Sequence, residues 1–455
     1  MGVSAFIFRN RTLLLILCCG LLVRLLLSWQ RPGLLREDAD GYLAHAAELA
    51  RHGEFVGPYT DVKTAFRPPG YVCLLALPLW LGLSPATSVL GVHSLMTIIC
   101  VCATALLSWL AGLSRRQGVL AAACVAFDPL LVRYSLQPMS EVPCAAVLVL
   151  GVLIFVRALG LRAAGAGLGA GAGISRGPLF WGVISGLCLA AGSLIRPAVL
   201  PAAIMCLGAA FASGIARQRR VGRIARSEGS GGALARLCGD SGVVAAVAGC
   251  SLVLGLIPWI WRNALEFGAF IPATTHGGYT LALGNNPDFY RDVIHQPPGA
   301  AGNGFPWRGE SLESWQGRTL AEAAAAGVSR GDEPAMDRWY YAYALTSIRG
   351  DWSGFLGACV LRFVRFWAFA GAGAVGREFW LPCLWYGCLW AALLPRLYRL
   401  MAGRSSLVEW ILWICVGAFC GLHVFYWTDA RMRAPVMPLL AVLACGRKGA
   451  ERGGF

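Results

Sequence analysis

Residues 12–29, TLLLILCCGLLVRLLLSW, form an apolar run long enough to cross the roughly 30 Å hydrocarbon core of a bilayer, and similar runs recur along the chain. No other feature restricts the fold so much. In hydrocarbon each backbone N–H and C=O must find its partner within its own segment, so these runs predict helices packed into a bundle. The composition agrees: of 455 residues 57% are hydrophobic and 14% charged, with a mean hydropathy of +0.60, too apolar for a soluble globular protein. The 17 cysteines lie mostly inside apolar runs (Cys18, Cys19, Cys100, Cys102, Cys415, Cys420), with no Cys-x-x-Cys pair, and read as small buried hydrophobes.

The arginines orient the bundle. A net charge of +15 could indicate nucleic acid, but the basic residues cluster in short gaps between apolar runs, as cytoplasmic loops do, and nucleic acid is excluded as a partner. Arg9 and Arg11 precede the first run and no small-x-small cleavage site follows, so it is expected to be an uncleaved span with a cytoplasmic N-terminus. Further spans are expected at about 88–112 (ending at Arg115 and Arg116), 118–133, 139–158 (returning to Arg157 and Arg162), 179–195, 198–213 and 242–261. The last three are expected at about 379–395 (reaching Arg396, Arg399 and Arg404), 408–425 and 433–445, which returns to Arg447 and Lys448. The prediction is an all-α polytopic protein of the plasma (inner) membrane with about 10 transmembrane helices and both termini cytoplasmic. The Gly/Ala-rich stretch 163–177 reads as a flexible linker, and the basic loop with Arg217, Arg219, Arg220, Arg223 and Arg226 as a topology anchor, with contact to anionic membrane lipids as the alternative.

Three regions follow: an N-terminal membrane module, 1–261, with a first outer loop at 29–87; a polar outer region, 262–351, able to fold in water; and a C-terminal part, 352–455. In the first loop RPPGY predicts a bend into an apolar hairpin, 71–85. In the second, acids and a proline open a helix expected from Asp332 to Ile348, and Gly/Asn/Pro turns (284–290, 295–304) precede it. Residues 352–369 carry Arg362 and Arg365 on one helical face and read as a helix lying on the outer leaflet.

The conspicuous polar residues fall at the outer ends of the spans: Asp38, Asp40, TAFRPPGY (64–71), Asp128, Glu141, Arg196, Arg262, GNNP (284–287) and DARMR (429–433). Ionisable groups at membrane depth are costly unless paired or used, so their gathering on one side marks a candidate site facing outside or the periplasm. The ordered set DADGY, RPPGY, DPLLVRYSLQPMSE, GLCLAAGSLIRP, PWIWRN with FGAF, and GNNP resembles the bacterial branch of the GT-C glycosyltransferases, which includes protein O-mannosyltransferases and lipid A aminoarabinose transferases. The resemblance runs from about residue 10 to about residue 445. It implies a glycosyltransferase moving a sugar from a polyprenyl-phosphate-linked donor to a lipid, glycan or protein acceptor at the outer face. It also implies an acid of the first outer loop as the central catalytic group. Asp38, four residues before Tyr42, is the best match to that position; Asp40 is the second candidate. Glu141 would be a second carboxylate orienting the acceptor or a divalent cation.

The residue types suit that chemistry. A hydroxyl attacking an anomeric carbon needs a base, which a carboxylate can supply for about 10²- to 10⁴-fold. The departing lipid phosphate is a stable anion that arginine forks hold bidentately, and lysine is scarce here. The expected lipid-phosphate ligands are Arg67, Arg196, Arg262, Arg431 and Arg433, against the plainer reading of helix capping or snorkelling. Asp128 precedes a proline and reads as a turn residue. His45, His93, His276 and His423 show no ligand spacing, so no dedicated zinc site is expected. The aromatic residues Tyr279, Phe289, Tyr290, Trp307, Trp339, Tyr340 and Tyr341 read as the outer region's own core, with sugar stacking as the alternative. Rival readings are a glycan ligase using a polyprenyl-pyrophosphate carrier, a lipid or solute transporter, which should show mid-helix polar residues and an internal repeat, and a membrane scaffold.

Overall fold

A computed structural model of the chain describes residues 11–58, 62–160, 177–228, 232–295, 307, 310–371 and 376–446. Nearly all of these are helical, and among them there is no strand beyond an isolated antiparallel bridge from Val56 to Lys63. The first helix, α1 (Arg11–Gln30), carries Arg24 only 2% exposed, with its guanidinium donating to the carbonyls of Gly20 (3.0 Å) and Ala126 (2.7 Å). A charge at membrane depth is thus matched by backbone acceptors. After α2 (Tyr42–His52) and α3 (Pro69–Trp80) come α4 (Pro85–Leu110), α5 (Arg115–Ala126), α6 (Pro129–Tyr134), α7 (Glu141–Ala158), α8 (Gly177–Ile195), α9 (Val199–Glu228) and α10 (Gly232–Phe267). The outer region contributes α11 (Gly277–Gly284), α12 (Glu310–Ala325) and α13 (Glu333–Gly350), followed by α14 (Trp352–Trp367), α15 (Arg377–Met401), α16 (Leu407–Phe425) and α17 (Met437–Cys445).

Among the described residues seven helices are long and apolar enough to cross a membrane: Arg11–Gln30, Pro85–Leu110, Glu141–Ala158, Gly177–Ile195, Val199–Ala216, Ser241–Phe267 and Leu407–Phe425. Each answers to one of the ten expected spans. The other three expected spans take a different form. The run expected at 118–133 breaks after Ala126 because the Asp128 carboxylate accepts the N–H groups of Leu130 and Leu131, both at 3.0 Å, and starts α6 afresh at Pro129. The last expected span begins as a 3₁₀ turn, Ala430–Val436, and leaves only nine residues for α17. Helix α15 has 25 residues but contains Pro382 and Pro395 and does not reach the apolarity of the seven. Most of the linker 163–177 lies outside the described residues, as do Arg9, Arg447, Lys448 and most of the turn 295–304.

The core runs through α7, which is buried along nearly its whole length between α4 and α8. Helices α8 and α9 both pack on α10, and α9 also meets α16. The α8–α10 contact is close because of Gly186, where an added Cβ would collide with the carbonyl of Ala248. The glycine of RPPGY serves closeness too. Gly70 lies inside α3, where a Cβ would come within 2.8 Å of the Leu194 carbonyl at the end of α8. The outer region has its own core of Phe289, Tyr290, Trp307, Trp315, Met336 and Tyr340. Helix α14 turns Trp352, Leu356, Val360 and Phe363 outward. The opposite face carries Arg362 and Arg365, both buried, with Arg362 donating to Asn285 Oδ1 (2.9 Å), to the Phe425 carbonyl (2.5 Å) and, through Nε, to the Ala358 carbonyl (2.9 Å).

Candidate active site

A cavity of about 850 Å³ forms where the first loop, the α8–α9 turn, residues 270–283 and residues 422–432 meet. Each polar group on its wall is placed by local chain geometry. Asp40 stands just before Gly41, whose φ of +75° is a left-handed conformation suited to glycine and sets the start of α2. Arg67 precedes Pro68 and Pro69, which fix an extended entry into α3. Arg196 sits in the tight connection between α8 and α9. Arg431 lies in the 3₁₀ turn, whose first N–H groups are capped by Asp429, with Arg431 N to Asp429 Oδ1 at 2.8 Å.

These groups form one ion-pair network. Arg67 Nη2 donates to Asp40 Oδ1 at 3.5 Å and Arg431 Nη1 to Asp40 Oδ2 at 3.2 Å. Arg431 Nε lies 3.5 Å from Asp429 and 3.9 Å from Glu141 Oε1, and Arg196 Nη1 lies 3.0 Å from the same Glu141 oxygen. Burial alone would raise the Asp40 pKa, but Arg431, then Arg67 and Arg196, outweigh it and hold the carboxyl below its usual range. Arg431 is likewise held in its charged form: burial works against the charge, and Asp429, Glu141 and Asp40 more than offset it. Arg67 Nε is buried without a hydrogen bond, whereas Arg196 Nη1 and Arg431 Nε face only the carboxylates of Glu141 and Asp429 as ion pairs. A negatively charged ligand with several acceptor oxygens could engage all three.

The first loop is braced from two sides. Glu333, at the start of α13, accepts from Thr64 Oγ1 (2.5 Å), Ala65 N (2.9 Å) and Thr275 Oγ1 (2.8 Å). Arg262 donates to the carbonyls of Thr64 (2.8 Å) and Phe55 (2.9 Å).

Of the residues expected on sequence grounds, the cavity wall brings together Asp40, Arg67, Arg196 and Arg431, with Glu141, 1% exposed, immediately behind two of the arginines. Asp38, the expected base, is not on that wall. Its Oδ2 accepts the N–H of Ala44 at 2.8 Å and so caps α2, because the turn through Gly41 aims residues 38 and 40 differently. Arg262 is committed to backbone carbonyls. Arg433 is fully buried elsewhere, donating to the Phe366 carbonyl (2.7 Å) and lying 4.3 Å from the centroid of the Tyr386 ring. Neither is a cavity ligand, nor does Arg433 snorkel. Asp128 is the turn residue expected, with an added bond from Tyr386 at 3.1 Å. Tyr279 and Tyr341 face the cavity, whereas Phe289, Tyr290, Trp307 and Tyr340 belong to the outer core. Sequence reasoning passed over Asp337, Tyr426, Trp427 and Glu333, and weighed His276 only as a metal ligand. Lone residues in turns, or single polar positions on a helix, give no periodic or spacing signal, though Asp429 stood within the noted DARMR. Among the described residues no three His, Cys, Asp or Glu side chains are grouped to hold a metal ion. The acids near the cavity arginines are matched to those arginines, an arrangement that does not fit a cation site.

No protein-family model matches this chain, and no curated protein matches it. Among solved structures it is similar to the archaeal oligosaccharyltransferase AglB from Archaeoglobus fulgidus in complex with an inhibitory peptide and a dolichol-phosphate, with a TM-score of 0.53 and 14% identity over 96% of this chain and 50% of that one. The apo form of the Archaeoglobus fulgidus oligosaccharyltransferase gives a TM-score of 0.52 with 16% identity over the same shares. ArnT from Cupriavidus metallidurans bound to undecaprenyl phosphate gives 0.40 with 13% identity, covering 96% of this chain and 78% of that one. This chain thus spans about half the length of the oligosaccharyltransferase chains it matches. At such identity the likeness is one of fold: the chain shares the fold of about half of the archaeal oligosaccharyltransferase, a likeness in keeping with the resemblance of its motifs.

Proposed function

We propose that this protein transfers a sugar from a polyprenyl-phosphate-linked donor to a hydroxyl acceptor on a lipid, glycan or protein at the outer face of the membrane. The single observation that carries this reading is Asp40 held between Arg67 and Arg431 on the wall of a cavity at one end of the bundle. Arg67, Arg196 and Arg431 take the donor phosphate by exchanging carboxylate contacts for phosphate oxygens, and the aromatic wall takes the sugar. Asp40 then serves as base, with Asp38 as a positioning residue that holds α2. The substrate itself arms the base: as the phosphate draws Arg67 and Arg431 to its own oxygens, Asp40 loses the partners that keep its basicity low. Glu141 keeps Arg196 and Arg431 aimed. The leaving lipid phosphate departs as an anion on the arginines and takes no proton from the protein.

A second reading, transfer of a whole glycan from a pyrophosphate carrier, draws on the likeness to AglB, which was solved with a dolichol-phosphate and an inhibitory peptide. The test is to incubate the purified protein in vesicles with radiolabelled polyprenyl-phosphate-hexose and envelope extract. The donor reading expects a labelled acceptor and free polyprenyl phosphate. Label transferred only from pyrophosphate-linked glycan selects the second reading, and no transfer from either carrier defeats both.

A further inference from the structure

His276 lines the cavity, yet neither of its ring nitrogens has a hydrogen-bond partner among the described residues, and Nδ1 is buried. The ring is nonetheless firmly held. Phe66 meets it edge-on with centroids 4.3 Å apart, and Tyr279 stacks on it at 5.1 Å. Tyr279 is itself fixed by Gln316, which donates to its hydroxyl at 2.6 Å. Burial, reinforced by the charge on Arg67 and only partly offset by Asp40, lowers the His276 pKa to about 3, so the imidazole is neutral at physiological pH. A neutral imidazole offers a donor or an acceptor at the ring nitrogen a ligand can reach, according to its tautomer, and no protein group in the described residues takes that place.

The kind of ligand follows from that either-way capacity. A phosphate has acceptors alone and would use only the N–H. An ammonium has donors alone and would use only the acceptor form of the ring. A hydroxyl is donor and acceptor at once, and the C–H face of a pyranose packs well on aromatic rings such as Phe66 and Tyr279. We propose that His276 binds a hydroxyl of the donor's sugar, and that with Phe66 and Tyr279 it forms a subsite for an uncharged hexose or pentose in preference to an amino sugar. This rests on the polyprenyl-phosphate reading above and specifies which part of the donor each part of the wall takes: arginines the phosphate, His276 the sugar.

The test compares binding of sugar-free polyprenyl phosphate, polyprenyl-phosphate-mannose, polyprenyl-phosphate-glucose and a polyprenyl-phosphate-linked amino sugar to the full chain in lipid nanodiscs. Wild type is expected to bind at least one neutral-sugar lipid about tenfold more tightly than sugar-free lipid, and more tightly than the amino-sugar lipid. His276→Phe keeps the ring packing and should erase that advantage while leaving the affinity for sugar-free lipid within about twofold. His276→Gln, which retains a donor and an acceptor, should restore part of it. Arg67→Met should weaken all four lipids alike. The assignment is overturned if His276→Phe weakens sugar-free and sugar-linked lipids equally, if it changes neither, or if wild type prefers the amino sugar. Should His276→Phe not insert, His276→Asn supplies the same comparison, and the wild-type preference among lipids stands as an independent check. Failure of wild type to bind any of the four lipids would instead sink the donor reading itself.

Discussion

Five arginines near the ends of apolar runs looked equivalent, and their partners separate them. Arg67, Arg196 and Arg431 meet carboxylates on or behind a cavity wall, while Arg262 and Arg433 are committed to backbone carbonyls. Arg67→Met should therefore raise the donor KM while leaving the melting temperature near wild type. Arg433→Met should do the reverse, costing about 1–3 kcal/mol by stranding the Phe366 carbonyl, as thermal unfolding in detergent would read. Asp40 yields a pH prediction. Its pairing with arginine depresses its pKa, so the pairing stabilises the fold above the ordinary carboxylate value of about 3.9 and is lost as pH falls through the lowered value. The base form persists over the same range, so the acid limb of kcat/KM, which reports the free enzyme, should lie below about 3.9. The limb of kcat should lie higher, because bound phosphate has drawn the arginines away. Coinciding limbs would count against the release of Asp40 by substrate. Little of this residue-level sorting was legible in the sequence. Asp38 and Asp40 are two residues apart in a turn, and only the left-handed Gly41 decides which carboxylate caps α2 and which meets the cavity.

At the scale of elements, the outer region reaches the site through Glu333, whose carboxylate joins the start of α13 to Thr64, Ala65 and Thr275. Glu333→Ala should loosen residues 64–67 and with them Arg67, leaving the membrane helices folded. Hydrogen exchange should rise severalfold in the peptide covering 64–67 and stay unchanged in α7, and the donor KM should increase more than kcat falls. Unchanged exchange at 64–67 would mean that Arg262 alone braces the loop. A sequence reader sees acids and a proline opening α13 and infers a cap. Asp332 does cap it, accepting from Ala335 N at 3.0 Å, but Glu333 points across to another segment, and such long-range use of a residue next to a cap leaves no local trace. The spans were far more legible because length and apolarity are local properties. The expectation failed where prolines or the Asp128 cap divide an apolar stretch, at 118–133 and 433–445.

Over the whole molecule, alternating helix directions bring the site residues to one end of the bundle although they lie far apart in sequence, from Asp40 to Arg431. We propose from the arginine distribution that this end faces outside. Ser329 is exposed on the outer region, in the connection between α12 and α13. Ser329→Cys should react with a membrane-impermeant maleimide in spheroplasts at a rate that permeabilisation does not change, whereas labelling only after permeabilisation would invert the topology. The central claim is that Asp40, on the cavity wall and between two arginines, takes the acceptor's proton. It is tested most directly by single-turnover transfer from a polyprenyl-phosphate-hexose with Asp40→Asn beside Asp38→Asn, each reconstituted at equal membrane content. The account predicts a loss of about 10²- to 10⁴-fold in the transfer step for Asp40→Asn. Asp38→Asn should lose much less and show its effect mainly in stability. Transfer by Asp40→Asn at the wild-type rate, or its abolition by Asp38→Asn alone, would contradict it.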